Sequence, residues 1–359
     1  MDKTISKVID FLRFPMACAV VLLHTPGNYT NWSHYNFNDL RFFTLYDHVS
    51  LISNIICQIA VPIFFLISGY LFYNETKSYL QILQKRTKTV IIPYFIWNGI
   101  TFLVMIFTKI LGIYIHQKPI SGFLEYITPI NIIKYFIGNF DNSFTWQPID
   151  SPLWFIRDLY IMFLLYPILY YILQRFRITS ISIISIIYIF NLWNGIPCFQ
   201  IQTLYFFSLG IYLRMYNIDL LKQIGHYKTL IINLSIISFI LRYLSGNRIF
   251  MPTFIMTFSC ITIYTISKLK QKDFFKRIQS MKKYSFFIFA VHIIIVERLW
   301  GILYHPFFSR LELIHCLSYI INPIFILIIC LVLYNLLEKI CPRILSMITG
   351  SRTKTIIRD

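Results

Sequence analysis

Residues 8–27 read VIDFLRFPMACAVVLLHTPG. The run is apolar enough to be a helix in lipid, yet it carries Asp10, Arg13 and His24. A helix of about 20 residues crosses a hydrocarbon core of roughly 30 Å. The basic start before it resembles a secretory signal, but the run passes from Arg13 to His24 without a convincing cleavage site, so it reads as a first membrane helix. Similar runs recur along the chain. By the same ruler there are ten spans, approximately 8–27, 51–73, 90–112, 153–173, 178–195, 200–216, 229–245, 251–268, 284–303 and 317–338. The expected fold is therefore all-α, a polytopic membrane protein with about ten transmembrane helices and both termini cytoplasmic. Residues 1–345 form one membrane domain, and residues 346–359 form a short basic cytoplasmic tail.

Composition agrees with the spans. Of 359 residues, 57% are hydrophobic and only 13% charged, about half the charge of an ordinary soluble domain. The aromatic share of 18% suits lipid-facing surfaces and interfacial belts. A net charge of +18 invites a nucleic-acid reading, but the Lys and Arg lie between apolar spans and not on a separable basic domain. Seven cysteines with no C-x-x-C spacing behave as small hydrophobes, and no metal site is expected.

The positive charges orient the chain. Cytoplasmic termini put 24 of the 33 Lys and Arg on the inner side, including Lys85, Arg86 and the dense group from Lys268 to Lys283. Two longer segments then face outward. One, 28–50, carries Tyr29, Trp32, His34, Tyr35 and Phe37, which suit an interfacial belt or a sugar platform. The other, about 113–152, is apolar enough around Tyr135-Phe136-Ile137 to hold a short interfacial or re-entrant helix.

Ionisable residues inside spans cost several kcal/mol unless paired or hydrated, so they point to a cavity. Here they are Asp10, Arg13 and His24 in span 1, Arg157 and Asp158 in span 4, and His292, Glu297 and Arg298 in span 9. Arg13 and His24 are eleven residues apart. At 3.6 residues per turn that is about three turns, only ~20° off register and roughly 16 Å along the axis, so both project from one face. Asp10 shares the stripe and pairs with Arg13 as an i, i+3 neighbour. The plain alternative is an Arg snorkelling to lipid phosphate and an incidental His near the outer surface.

Other segments add to this. Span 2 contains Pro62-Ile63-Phe64-Phe65-Leu66-Ile67-Ser68-Gly69-Tyr70, and Lys85-Arg86 precedes Pro93-Tyr94 of span 3. Span 4 opens with Leu153-Trp154-Phe155, and span 9 reaches His292. In this order the pieces resemble the integral-membrane acyltransferase family 3, a bacterial group that includes polysaccharide and peptidoglycan O-acetyltransferases. The resemblance covers nearly the whole chain. It lacks the extracytoplasmic esterase-like domain that some members carry, so it looks like the membrane unit alone. It also has Phe-Ala-Val before His292 where members usually show Tyr-Leu.

The resemblance implies a membrane-bound O-acyltransferase of the cell (plasma) membrane. It would move an acyl group, most often acetyl, from acyl-CoA to a hydroxyl of a cell-envelope glycan or its lipid-linked precursor. No bound cofactor is expected; acyl-CoA is a co-substrate. The chemistry asks for a base on the hydroxyl and cations for the CoA phosphates. Imidazole, with its pKa near neutrality, suits the first task and the Arg fork the second. His24 is accordingly expected to act as base or as transient acyl acceptor, with Arg157 or Asp158 orienting it or stabilising the oxyanion; the alternative for that pair is an intrahelical, self-neutralising ion pair with a packing role. Arg13, Lys85 and Arg86 are expected to hold the donor; the basic stretch 268–283 is mostly explained by topology and is a lesser candidate to assist CoA. Asp10, Ser68, Tyr94, Trp154 and His292 are supporting or acceptor candidates; Trp154 and Tyr94 also suit interface anchoring, and His292 suits helix packing. A second reading is a secondary transporter or sensor module using the same cavity, although the two related halves common in transporters are not visible.

Overall fold

A chain of apolar runs must close its peptide hydrogen bonds within itself in lipid, and helices do so. The computed structural model describes residues 3–24, 44–73, 77–116, 127–138, 147–193, 198–269, 273–307 and 312–350, and no β-strand occurs among them. The first helices are α1 (Lys3–Leu23), α2 (Leu45–Cys57), α3 (Ala60–Phe72) and α4 (Tyr79–Arg86). A π-helical turn, Thr87–Ile91, leads into α5 (Ile92–His116), followed by the short α6 (Pro129–Ile137). Next come α7 (Trp154–Phe176), α8 (Ile178–Ile189), α9 (Ile201–Met215), α10 (Leu220–His226) and α11 (Lys228–Ser245). The chain continues with α12 (Met251–Lys268), α13 (Asp273–Ser280), α14 (Ser285–Phe307), α15 (Glu312–Ile340) and α16 (Pro342–Ile348).

The architecture is an all-α, multi-pass membrane bundle. Six helical stretches among the described residues are long and apolar enough to cross a bilayer: Leu45–Phe72, Tyr79–Leu111, Ser151–Phe176, Lys228–Ser245, Arg248–Lys268 and Tyr319–Ile340. Each of the other four expected spans falls on a helix, but α8 and α9 have only 12 and 15 residues, short of the roughly 20 that a perpendicular crossing takes. Leu103, Phe107, Ile168, Ile236 and Ile324 stand exposed on the outside of the bundle, where a bilayer would cover them.

Local chemistry moved several boundaries. The second span starts at Leu45, not residue 51, because Thr44 and Asp47 form a capping box: Thr44 Oγ1 accepts from Asp47 N (3.2 Å) and Thr44 N donates to Asp47 Oδ2 (3.0 Å). Hydropathy alone discounted that polar first turn. The short helix expected within 113–152 is α6, capped by Thr128, whose hydroxyl accepts from Asn131 N (3.3 Å). The aromatic group Tyr29 to Phe37 and the side chains of Glu297 and Arg298 lie outside the described residues.

Two contacts position the cavity described below. The helices α3 and α9 meet backbone to backbone: a Cβ on Gly69 would fall into the Phe207 carbonyl, and one on Gly210 into that of Leu66. Such small-residue crossings are a general means of close approach in lipid. At the chain's C-terminal side, α16 straddles residue 345. Leu345, Ile348 and Thr349 are buried, and Trp97 Nε1 donates to Ile348 O (2.9 Å). The expected tail therefore begins with residues packed into the domain as far as Gly350, and residues 351–359 lie outside the description.

Candidate active site

The face of α1 that carries Arg13 opens onto a cavity of about 380 Å³. Among the described residues, five basic side chains line it (Arg13, Lys85, Arg86, Lys282 and Lys283) and no carboxylate does. All three expected donor-binding residues are thus in one place, together with Ser68 of α3. The π-helical turn helps to place them. Pro93 has no N–H for the Thr89 carbonyl, so the helix widens there, a distortion common at functional sites. Thr87 Oγ1 secures the turn, donating to Leu83 O (3.0 Å) and lying 2.8 Å from the Tyr160 hydroxyl.

The five cations are not equally committed. Lys282 is bound to Asp10 (2.6 Å) and Lys283 to Glu338 (2.9 Å). The expected Asp10–Arg13 pair is a loose one at 4.0 Å, because Lys282 takes the nearer place on the Asp10 carboxylate. Among the described residues no carboxylate pairs with Lys85 or Arg86, and the Arg86 guanidinium rests over the Phe163 ring at 5.7 Å. Ser285 Oγ, buried on the cavity wall, has no partner among the described residues. Ser285 was not assigned to the site from sequence. Lys282 and Lys283 end the basic stretch that topology explains first and that is only a lesser candidate from sequence, and the return of α14 against α1 brings them in.

At its far end the same helix carries His24. Its ring centroid lies 5.2 Å from that of His292, with the planes at 53°. His292 is completely buried on α14; its Nδ1 lies 3.0 Å from Ile288 O, and among the described residues its Nε2 has no partner. A carbonyl only accepts, so Nδ1 carries a proton. The histidines do not line the basic cavity. Phe289 does, with Phe64 and Phe155 beside it, and the Phe289 ring is 6.2 Å from His292. Phe289 therefore touches both the basic cavity and the surroundings of His292.

Arg157 and Asp158 form an intrahelical ion pair, the second of the two readings given for them from sequence. Arg157 Nε and Nη2 both donate to Asp158 Oδ1 (3.0 and 2.8 Å), and Nη1 donates to Ile137 O (2.6 Å). The Tyr94 hydroxyl donates to Phe136 O. These bonds satisfy carbonyls at the C-terminal end of α6 that have no intrahelical partner. The pair and Tyr94 thus clamp α6, and Trp154, half-buried, packs at 6.4 Å against Phe65. Removing Arg157 leaves Asp158 as an uncompensated buried charge, which costs about 3–5 kcal/mol. Arg157→Met is accordingly expected to unfold at clearly lower temperature in detergent and to expose α6 to hydrogen exchange. An unchanged melting temperature would mean that the clamp carries no stability.

With this geometry in hand, the sequence comparisons are decisive. A family model described as an acyltransferase domain, acyltransferase 3, matches residues 7–335. The chain belongs to the acyltransferase 3 family. The match takes in α1, both histidines, every basic residue of the cavity and the α6 clamp. The chain is also 26% identical over 375 residues to the succinoglycan biosynthesis protein ExoH of Rhizobium meliloti (strain 1021), covering 98% of this chain and 94% of that protein. No solved structure matches the chain. As an acyltransferase of this family it is a transferase embedded in a membrane.

Proposed function

We propose that this acyltransferase moves an acyl group, acetyl in our reading, from acyl-CoA to a hydroxyl of a cell-envelope glycan or its lipid-linked precursor. The membrane is the plasma membrane, with the basic end of α1 on the cytoplasmic side. One observation carries this reading: a single helix joins a cavity lined, among the described residues, by five cations and no carboxylate to an imidazole pair about three turns further on. The kinship with a succinoglycan biosynthesis protein supports a polysaccharide acceptor.

CoA phosphates sit on Arg13, Lys85 and Arg86, where the cations least bound to carboxylates lie. The pantetheine arm runs along α1, and Phe289 rotates aside to let the thioester reach the imidazoles. His24 takes the proton of the acceptor hydroxyl as its oxygen bonds to the thioester carbonyl carbon. The C–S bond then breaks, the sulfur leaves with the electron pair, and the imidazolium returns the proton to give the CoA thiol and an O-acyl ester. Buried His292, its Nδ1 proton held by Ile288 O, lies behind His24, close enough for a ring rotation of His24 to bring two nitrogens into hydrogen-bond range.

The test uses purified full-length protein, labelled acetyl-CoA and surface glycan from a strain lacking the gene. Label is expected to enter the glycan as an alkali-labile ester, and glycan from that strain is expected to lack one acyl mass per modified sugar. Unlabelled glycan, with glycan masses unaltered by the deletion, would exclude the reading.

A further inference from the structure

The inward face of α11 is polar. Its buried residues are Ser235, Ser238 and Arg242, which fall on one stripe, while Ile236, Ile237, Ile240 and Leu244 are exposed on the lipid side. Arg242 is only 3% exposed, and among the described residues its Nε and Nη1 have no hydrogen-bond partner. No carboxylate among those residues pairs with it, and a second cation, Arg248, acts on it. The Ser238 hydroxyl, one turn back, donates to Leu234 O (2.6 Å) and does not accept from Arg242 Nε or Nη1. On α12, which packs along α11, Ser259 Oγ is also buried without a partner.

The place is as informative as the charge. Tyr243, beside Arg242, holds His48 of α2 through a 2.7 Å bond between its hydroxyl and Nδ1. Tyr46, half a turn back on α2, packs edge-on against Tyr319 with Leu22 of α1 beside them. Leu22 is two residues from His24. Arg242 therefore lies at the histidine end of the bundle, opposite the basic cavity. A buried guanidinium with open donors is strongly unfavourable unless an anion completes it. Its planar fork matches a carboxylate or a phosphate.

We propose that Arg242 anchors an oxyanion-binding site at the histidine end, taking an acidic group of the acceptor or of a phospholipid and so fixing what lies beside His24. The acceptor half of this statement rests on the acyltransfer reading above; the binding half does not.

The test is binding to the full-length protein in neutral detergent, saturated with CoA so that the basic cavity is filled. D-galacturonate, inorganic phosphate and neutral D-galactose are compared by thermal shift. Phosphatidylglycerol and phosphatidylcholine bicelles form a second arm. The expected result is stabilisation by galacturonate or phosphate but not galactose, with the affinity weakened about ten-fold or more in Arg242→Gln. CoA affinity is expected to be unchanged. Stabilisation by phosphatidylglycerol alone, dependent on Arg242, supports the site and assigns it to a lipid headgroup. Equal anion responses in wild type and Arg242→Gln overturn it. Should that variant not fold, Ser238→Glu keeps the arginine and sets a carboxylate one turn away; it is expected to melt higher and to lose the anion response, and a retained response overturns the proposal. Anion binding that depends on Arg242 in a protein that transfers no acyl group would sink the functional reading and leave the site standing.

Discussion

His24→Ala is expected to lower acyl transfer by about 10²–10⁴-fold, the range that a positioned acid–base group contributes, while the protein stays inserted and abundant. The residue is suited to such a clean result. It follows the last residue of α1, its backbone N–H still bonded to Val20 O and Val21 O (3.2 and 3.1 Å), and its side chain is only half-buried. Truncation therefore leaves the helix intact and opens no sealed core. His292 differs in being completely buried with one nitrogen tied to Ile288 O, so its removal acts on packing as well as chemistry. The measurement is initial rate with labelled acetyl-CoA at matched amounts of purified protein. Near-normal turnover in the His24 variant would remove the imidazole from the mechanism.

Gly69→Leu is expected to leave little folded protein. The side chain would have to occupy the volume of the Phe207 carbonyl, and backbone cannot yield as a flexible side chain does. Overpacking of a close-packed site costs about 1–3 kcal/mol and more where nothing relaxes; here α3 and α9 must separate. Ser68, which lines the basic cavity, and Phe207, which packs against Phe72 and Phe163, both move with that interface. Gly99→Ala is the control. A Cβ there meets nothing within 4 Å, and exchanging glycine for alanine inside a helix is favourable by about 1 kcal/mol. Size-exclusion profiles of fluorescent fusions read both outcomes. A monodisperse Gly69→Leu peak would contradict the close crossing.

Much of the fold is legible in the sequence because lipid leaves a backbone few options. Runs such as Leu331 to Leu337 within α15 can only be helix there. The start of α2 was hidden because Asp47, His48 and Ser50 lower the hydropathy of a turn that Thr44 in fact caps. The cations of the basic cavity were legible in Arg13, Lys85 and Arg86, whose helical register and order along the chain mark them. Lys282 and Lys283 were masked by a second explanation, the charge bias of a membrane protein. The pairing of His24 with His292 is a tertiary fact, since nothing local to either residue specifies the other. Arg157 and Asp158 read from sequence as either catalytic or packing, because adjacency alone does not show that their bonds close on each other and on the end of α6. Arg242 passed as one more positive charge near a span end, and only its burial without a counter-ion singles it out.

The central claim, that the basic cavity grips the nucleotide end of the donor, is tested most directly by two donors on one variant. Acetyl-CoA carries the phosphates, whereas acetyl-pantetheine keeps the thioester and lacks them. In Arg86→Gln the KM for acetyl-CoA is expected to rise at least ten-fold, as loss of a charge-assisted phosphate contact implies, with kcat little changed and the KM for acetyl-pantetheine the same as in wild type. Equal KM shifts for both donors, or none for acetyl-CoA, would place the phosphates elsewhere and contradict the claim.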